Sequence, residues 1–481
     1  MTKKLLAYFR NHSCKFAAKV FLLCSLAALA HADPLPAPVR AALKQAGIPE
    51  DSVGVYVQDV TADRPLLAHR ADQPMSPAST MKLVTTYAAL ELLGPAHVWK
   101  TEAWSDGRIE GDTLKGDLIL KGGGDPALTL ERFWSLLRQL RQLGIRDIRG
   151  NLVLDTGIYQ PSKVDPGAFD GEPYKPYNAG PEALLLNFKA TRFRLLPDAE
   201  KGKVRVIADP APPQLKINNR LQLGEAACGD WSEAVQPTVQ QSGGQTIVTL
   251  SGTFPAACGE KSLHLSLFDN DAYIQGTFRQ LWEELGGSLR GGVREGETPL
   301  DARLLASIDS RPLAEAVYDI NKHSNNVMAR QLLLAVGALC ERPSSPASGA
   351  RVIDHWLKAK GLDFAELTIE NGCGLSRIER ISPEHLGLLL VDAFRSPVMP
   401  ELLASLPIAS VDGTMGKRLN GQEVAAQAHI KTGSLEGVKT IAGYVLDRRG
   451  RRLAVVCLIN HPNASAGKAA QDALLEWVYD R

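Results

Sequence analysis

The chain has 481 residues, with 54 Lys and Arg against 53 Asp and Glu and a formal net charge of +1. That balance, with no Lys/Arg cluster beyond the first 32 residues, excludes a basic nucleic-acid-binding surface. The length exceeds one core of about 100 to 200 residues, so two or three domains are expected.

Residues 1–32 read as a secretory signal peptide. Lys3, Lys4, Arg10, Lys15 and Lys19 stand there without an acid, followed by the apolar run Val20 to Ala30 and by Ala30-His31-Ala32, which sets cleavage after Ala32. The apolar run is too short to span a bilayer comfortably, so no transmembrane segment is expected in the mature protein; peripheral membrane contact stays open. Beyond it, Pro36 to Gln45 suits a short helix, and Val53 to Val60 with Pro65 to His69 suits a hairpin.

Pro77 then opens a helix in which Leu83, Val84, Tyr87, Leu90 and Leu93 recur at helical spacing until Gly94-Pro95 stops it. Short strands and Gly/Asp turns follow, including Arg108 to Asp112 and Leu118 to Asp125. The run Gly122-Gly123-Gly124 lacks the Gly-Lys-Ser/Thr of a phosphate loop and reads as a tight turn. Leu130 to Leu143 is amphipathic, and Gly150 to Asp155 is a strand ending in an acid. Tyr159 to Pro181, rich in Pro, Gly, Tyr and Asp, reads as a long ordered loop.

Alternating segments at Ala190 to Leu195, Lys203 to Ile207, Thr246 to Leu250 and Ser262 to Leu267 make the middle third mainly β. Helices return at Tyr273 to Leu285, Leu313 to Asp319, Asn325 to Val336, Arg351 to Lys360 and Pro383 to Arg395. The end is a meander of Ala428 to Lys431, Val438 to Leu446 and Leu453 to Asn460, closed by a helix from Ala466 to Tyr479.

Five cysteines remain after Ala32. Cys228 and Cys258 flank a turn-rich segment and form the first disulfide candidate; Cys340 with Cys373 is a second. Cys457 sits inside an apolar run and reads as a buried thiol. Neither C-x-x-C nor H-x-x-x-H spacing occurs, so no metal or cofactor is expected.

Three short motifs carry chemistry. Ser79-Thr80-Met81-Lys82 puts a hydroxyl and an amine three residues apart, on one face of a helix start whose dipole favours an alkoxide. A lysine at its ordinary pKa of about 10.4 is protonated and useless as a base, so this pair needs burial or a neighbouring cation. Ser324-Asn325-Asn326 supplies an S-x-N element, and Lys431-Thr432-Gly433 a K-T-G element on an apparent strand. In this order the three are the signature of serine β-lactamases and penicillin-binding proteins. The wide gap between Ser79 and Ser324 implies a catalytic domain made from both ends, 33–97 and 268–481. Between them lies a β-rich insertion, 98–267, of roughly 170 residues in two parts, 98–188 and 189–267.

On these residues the whole mature chain resembles the class C low-molecular-mass penicillin-binding proteins, exported serine D-alanyl-D-alanine carboxypeptidases and endopeptidases that trim peptidoglycan. Gly122-Gly123-Gly124-Asp125-Pro126, Asn371 to Arg377, Asp412-Gly413-Thr414 and Gly433-Ser434-Leu435 extend the likeness.

The resemblance implies an α/β (α+β) fold: a transpeptidase-like antiparallel sheet with flanking helices, interrupted by the insertion. It implies a periplasmic location, peptidoglycan stem peptides as substrate and β-lactam antibiotics as acylating inhibitors. Ser79 would be the nucleophile and Lys82 its base. Amides of Ser79 and Ser434 would hold the oxyanion, Ser324 would relay a proton, and Asn326 would orient the substrate amide. Lys431 and Thr432 would bind the terminal carboxylate while Lys431 helps depress the Lys82 pKa, and Gly433 would let substrate backbone approach. Asp155 and Arg377 would face the stem-peptide side chain.

Two departures stand in that pattern: Glu370-Asn371-Gly372-Cys373 in place of an acid-led Asp-Gly-Ser-Gly stretch, and Glu436 where a glutamine is common. Two other readings fit the same residues: a β-lactamase or esterase on the same scaffold, and an inert peptidoglycan-binding relative.

Overall fold

The computed structural model describes residues 34–162 and 164–481; the expected signal peptide, 1–32, lies outside the described residues. The two ends of the chain meet in one antiparallel sheet, ordered Ala428–Leu435, Val438–Leu446, Arg452–Asn460, Val53–Asp59 and Leu67–His69. Because strands alternate faces, Arg452–Asn460 sends Leu453, Val455, Cys457 and Ile459 to one side and Ala454, Val456 and Leu458 to the other.

Both faces are covered, which is why this strand is a nearly unbroken apolar run. Helices Ala37–Gln45 and Lys468–Tyr479 cover the first face. The second packs on Lys82–Leu93, Leu313–His323, Asn326–Gly337, Pro346–Ala359 and Pro383–Arg395.

In the helix Lys82–Leu93 every residue from Lys82 to Leu90 is buried, so it is a central helix. Gly94, at φ +87°, ends it where expected, donating its N–H to Leu90 at 3.1 Å.

The inserted region holds two further cores. One lies around the sheet ordered Val293–Glu295, Leu152–Asp155, Leu118–Gly122, Lys100–Ser105 and Arg303–Asp309, with helices Leu130–Gln142 and Asn270–Glu284. The other fills the six-stranded sheet from Ala190 to Ser266.

Two strands beyond 268 still belong to this inserted sheet. Val293–Glu295 pairs parallel with Leu152–Asp155, and Arg303–Asp309 antiparallel with Lys100–Ser105. Such long-range pairing leaves no local mark. The strands Leu215–Gly224 and Val235–Ser242, whose residues are mostly polar and exposed, were also missed.

Cys228 and Cys258 form the expected disulfide. The second expected bridge is absent: Cys340 is an exposed free thiol, and Cys373 is a buried one in a loop against the Ser79 turn. Cys457 is buried and free as expected. Among the described residues, no helix is long and apolar enough to cross a membrane.

Candidate active site

Ser79 lies in a 3-10 turn, Ala78–Met81, that leads into the helix Lys82–Leu93. This turn is held from below by one atom, the carbonyl oxygen of Pro77, which accepts the Thr80 hydroxyl at 2.7 Å, the Thr440 hydroxyl at 2.8 Å and the Thr80 N–H at 3.2 Å. Asn460 fastens the preceding residue, accepting the Ser76 N–H at 2.8 Å and donating to the Ser76 carbonyl at 3.2 Å. Ala78 is fully buried at φ +45°, a strained conformation for a non-glycine residue. Surrounding hydrogen bonds hold that strain, and it fixes where Ser79 points.

The Ser79 amide has glycine on two sides. A Cβ on Gly433 would come within 2.8 Å of the Ser79 nitrogen and 2.2 Å of the Thr440 hydroxyl; one on Gly374 would come within 2.7 Å of that nitrogen and 1.9 Å of the Ala78 carbonyl. Gly374 also sits at φ +85°. Gly374→Ala is therefore expected to destabilise the protein by about 1–3 kcal/mol and to slow acylation, read by thermal melting and by the rate of penicillin labelling. A variant equal to the parent in both would show that the close approach has no role.

Lys82 is completely buried, and its amine donates to Ser79 Oγ at 3.0 Å, Asn326 Oδ1 at 2.8 Å and the Cys373 carbonyl. Three acceptors match the three protons of an ammonium. Burial nevertheless pulls its pKa down to about 8, against the opposing influence of Cys373 and Glu379 and with help from the Arg330 cation.

Ser324 sits between helices Leu313–His323 and Asn326–Gly337 in a left-handed conformation, φ +57°, and Asn325 caps the second helix by accepting the Met328 N–H at 3.1 Å. That sharp joint turns Ser324 toward the strand Ala428–Leu435: Lys431, also fully buried, donates to Ser324 Oγ at 2.8 Å. Burial first, and the like charge of Lys82 second, hold the Lys431 pKa well below its ordinary value. Arg330 adds to the lowering of Lys82, and the two buried lysines repel each other.

Thr432 donates to the Thr414 hydroxyl at 2.7 Å, so the Asp412-Gly413-Thr414 loop abuts the strand. Lys322, only 2% exposed, pins that loop with bonds to Asp412 at 2.6 and 2.7 Å and to the Leu406 carbonyl at 2.6 Å. Ser434 lies exposed farther along the same strand, with the Lys439 amine 3.4 Å from its hydroxyl.

Three motifs from distant parts of the chain therefore meet, through Lys82–Asn326 and Lys431–Ser324. Two further expected residues bond outside the three motifs. Asp155 lies in a cleft with Lys121 and Thr298, accepting the Thr298 hydroxyl at 2.6 Å and its N–H at 3.0 Å, with Lys121 at 3.6 Å. Burial raises its pKa, but these partners and the Gly157 N–H outweigh that and hold it below the ordinary value. These contacts tie the strand Leu152–Asp155 to its neighbour Leu118–Gly122 and to the segment at Thr298 between two further strands.

Arg377 is exposed, stacked 4.7 Å from the Phe169 ring centre, and donates to the Glu436 carbonyl at 3.3 Å with that residue's carboxylate 3.7 Å away. Arg377 and the departing Glu370 and Asn371 line a cavity of about 590 Å³ together with the 160–181 loop, and Glu436, the other departure, is held by Arg377.

Sequence reasoning missed Thr440, Asn460, Glu379 and Arg330, none of which belongs to a short motif. The only signal for the first two is their place in the meander, Thr440 in the strand beside the K-T-G strand and Asn460 in the one beyond it.

Residues 35–480 match the family described as D-Ala-D-Ala carboxypeptidase 3 (S13). The D-alanyl-D-alanine carboxypeptidase DacB of Haemophilus influenzae is 28% identical over 421 residues, 86% of each chain. The crystal structure of penicillin binding protein 4 (dacB) from Haemophilus influenzae is similar at a TM-score of 0.76 and 25% identity, covering 92% of this chain and 99% of that one. Its complex with a β-lactam gives 0.73 and 26% over the same shares. With the fold, the three converging motifs and a match across nearly all described residues in agreement, this chain belongs to the D-Ala-D-Ala carboxypeptidase 3 (S13) family.

Proposed function

We infer that the chain is a serine-type D-alanyl-D-alanine carboxypeptidase, exported to the periplasm by residues 1–32, that trims peptidoglycan stem peptides and is acylated by penicillin. The observation that carries this is the buried Lys82 amine 3.0 Å from Ser79 Oγ, at a pKa near enough to neutrality to work as a base.

In the first half-reaction Ser79 Oγ attacks the carbonyl between the two D-alanines, and its proton passes to Lys82. The amides of Ser79 and Ser434 stabilise the oxyanion; losing one such donor typically costs about 3 kcal/mol of barrier. Collapse breaks the C–N bond, and Ser324 delivers a proton to the departing D-alanine nitrogen. Water then cleaves the acyl-enzyme ester and restores Ser79.

Asn326 orients the substrate amide, and Lys431 with Thr432 takes the terminal carboxylate, whose charge holds Lys431 protonated despite its burial. Arg377, beside Phe169 and Glu436, contacts the stem-peptide side chain. Asp155, which bonds Thr298 and Lys121, supports the inserted sheet rather than that side chain. Cross-links between stems, which carry the same D-alanyl bond, are a second substrate of this site.

Incubation of the exported chain with a stem pentapeptide tests the reading. Release of one D-alanine per peptide, abolished by prior treatment with benzylpenicillin, is expected; no release, or release indifferent to penicillin, rejects it.

A further inference from the structure

Lys82 is flanked by two buried charges outside the three motifs. Glu379 is 1% exposed, and a single oxygen of its carboxylate accepts the backbone N–H groups of Glu370 at 3.1 Å, Asn371 at 3.0 Å and Gly372 at 2.8 Å. Its other oxygen has no hydrogen-bond partner. The next residue along this loop is Cys373, whose carbonyl receives the Lys82 amine.

Arg330, 7% exposed, lies one helical turn beyond Asn326 and therefore on the same face of its helix. Its Nη1 donates to the carbonyl oxygens of Ala179 at 3.0 Å and Asn178 at 3.3 Å, at the end of the long 159–181 loop. Its Nε is unpartnered, and among the described residues it forms no ion pair with a carboxylate.

Buried charges without counter-ions are expensive: burial raises the Glu379 pKa above its ordinary value, and the three N–H groups and the Lys82 cation oppose that rise. A carboxylate and a guanidinium without carboxylate–cation contacts, both close enough to act on one buried amine, call for an explanation that packing does not supply. Resting on the reading that Lys82 is the base for Ser79, we propose that Glu379 and Arg330 are an opposed pair of positioning residues. Glu379 orders the loop that presents the Cys373 carbonyl to the Lys82 amine, and Arg330, anchored to the long loop, supplies the opposing positive field.

The groups that face Lys82 are Ser79 from its own turn, Cys373 and Glu379 from the 370–379 loop, Asn326 and Arg330 from the helix, and Lys431 from the strand. Of these, Cys373 and Glu379 favour the protonated amine, whereas Arg330 disfavours it. The pair therefore acts in opposite senses on the supply of neutral base.

The test is the pH profile of the second-order rate of acylation by fluorescent penicillin, measured on the full chain. Glu379→Gln keeps an acceptor for the three N–H groups but removes the charge, and is expected to move the acid limb to lower pH. Arg330→Met is expected to move it to higher pH. Each shift is about one pH unit, a tenfold rate change below the limb.

Arg330→Lys, which restores the charge, should return the limb toward the parent. Limbs that coincide with the parent, or that move in the same direction in both variants, overturn the pair. If Glu379→Gln does not fold, the contrast between Arg330→Met and Arg330→Lys decides alone, and equal limbs in those two overturn the proposal. Absence of acylation in the parent itself overturns the Ser79–Lys82 reading, and the pair with it; acylation with unmoved limbs overturns only the pair.

Discussion

Ser79→Ala is expected to abolish D-alanine release, with kcat falling by about a millionfold, the size of loss seen when the nucleophile of a serine peptidase is removed. The substitution deletes the atom that forms the acyl bond, while the Lys431–Ser324 pair, the Thr432–Thr414 contact and the Gly433 approach all remain. Substrate should therefore still bind, and KM should change little. Ser79 is half-buried and its hydroxyl accepts one bond, from Lys82, so the melting temperature should stay close to the parent. A loss of less than tenfold would mean that another group attacks the substrate.

Lys82→Ala carries the second large effect, a fall in kcat/KM of about ten-thousandfold, at the upper end of what a general base contributes. Its pH dependence follows from the sign of the shift. Burial lowers the Lys82 pKa to about 8, so below that pH the amine is protonated and cannot accept the Ser79 proton. In the parent, kcat/KM should rise tenfold per unit up to about pH 8 and then level off. The residual activity of Lys82→Ala should lack this rise. Stopped-flow acylation across pH 6 to 10, an interval of about two units either side of the Lys82 pKa, measures both. A variant that retains the rise would assign the base to a different group.

The chemistry was legible because it resides in short local patterns. Ser79 and Lys82 are adjacent through their own turn, and Lys431, Thr432 and Gly433 through one strand. Such spacing is a property of the chain alone. The support around them was not legible, because each part comes from far away: Thr440 and Asn460 brace the Ser79 turn across more than 300 residues, and Glu379 acts by collecting three N–H groups from the loop that ends at Cys373.

Backbone strain at Ala78 and Ser324 also leaves no signal, since neither residue type favours a positive φ. In the fold, central strands announced themselves as apolar runs, whereas Leu215–Gly224 pairs parallel with Gln245–Pro255 through a sequence that is half polar. The paired Cys228 and Cys258 differ from the unpaired Cys340 and Cys373 in three-dimensional proximity, which spacing does not encode.

The most direct measurement of the central claim is mass spectrometry of the protein after brief exposure to benzylpenicillin, followed by proteolysis and peptide mapping. The account predicts one covalent penicilloyl adduct on the peptide containing Ser79, absent from Ser79→Ala. An adduct at any other residue, or none in the parent protein, would contradict it.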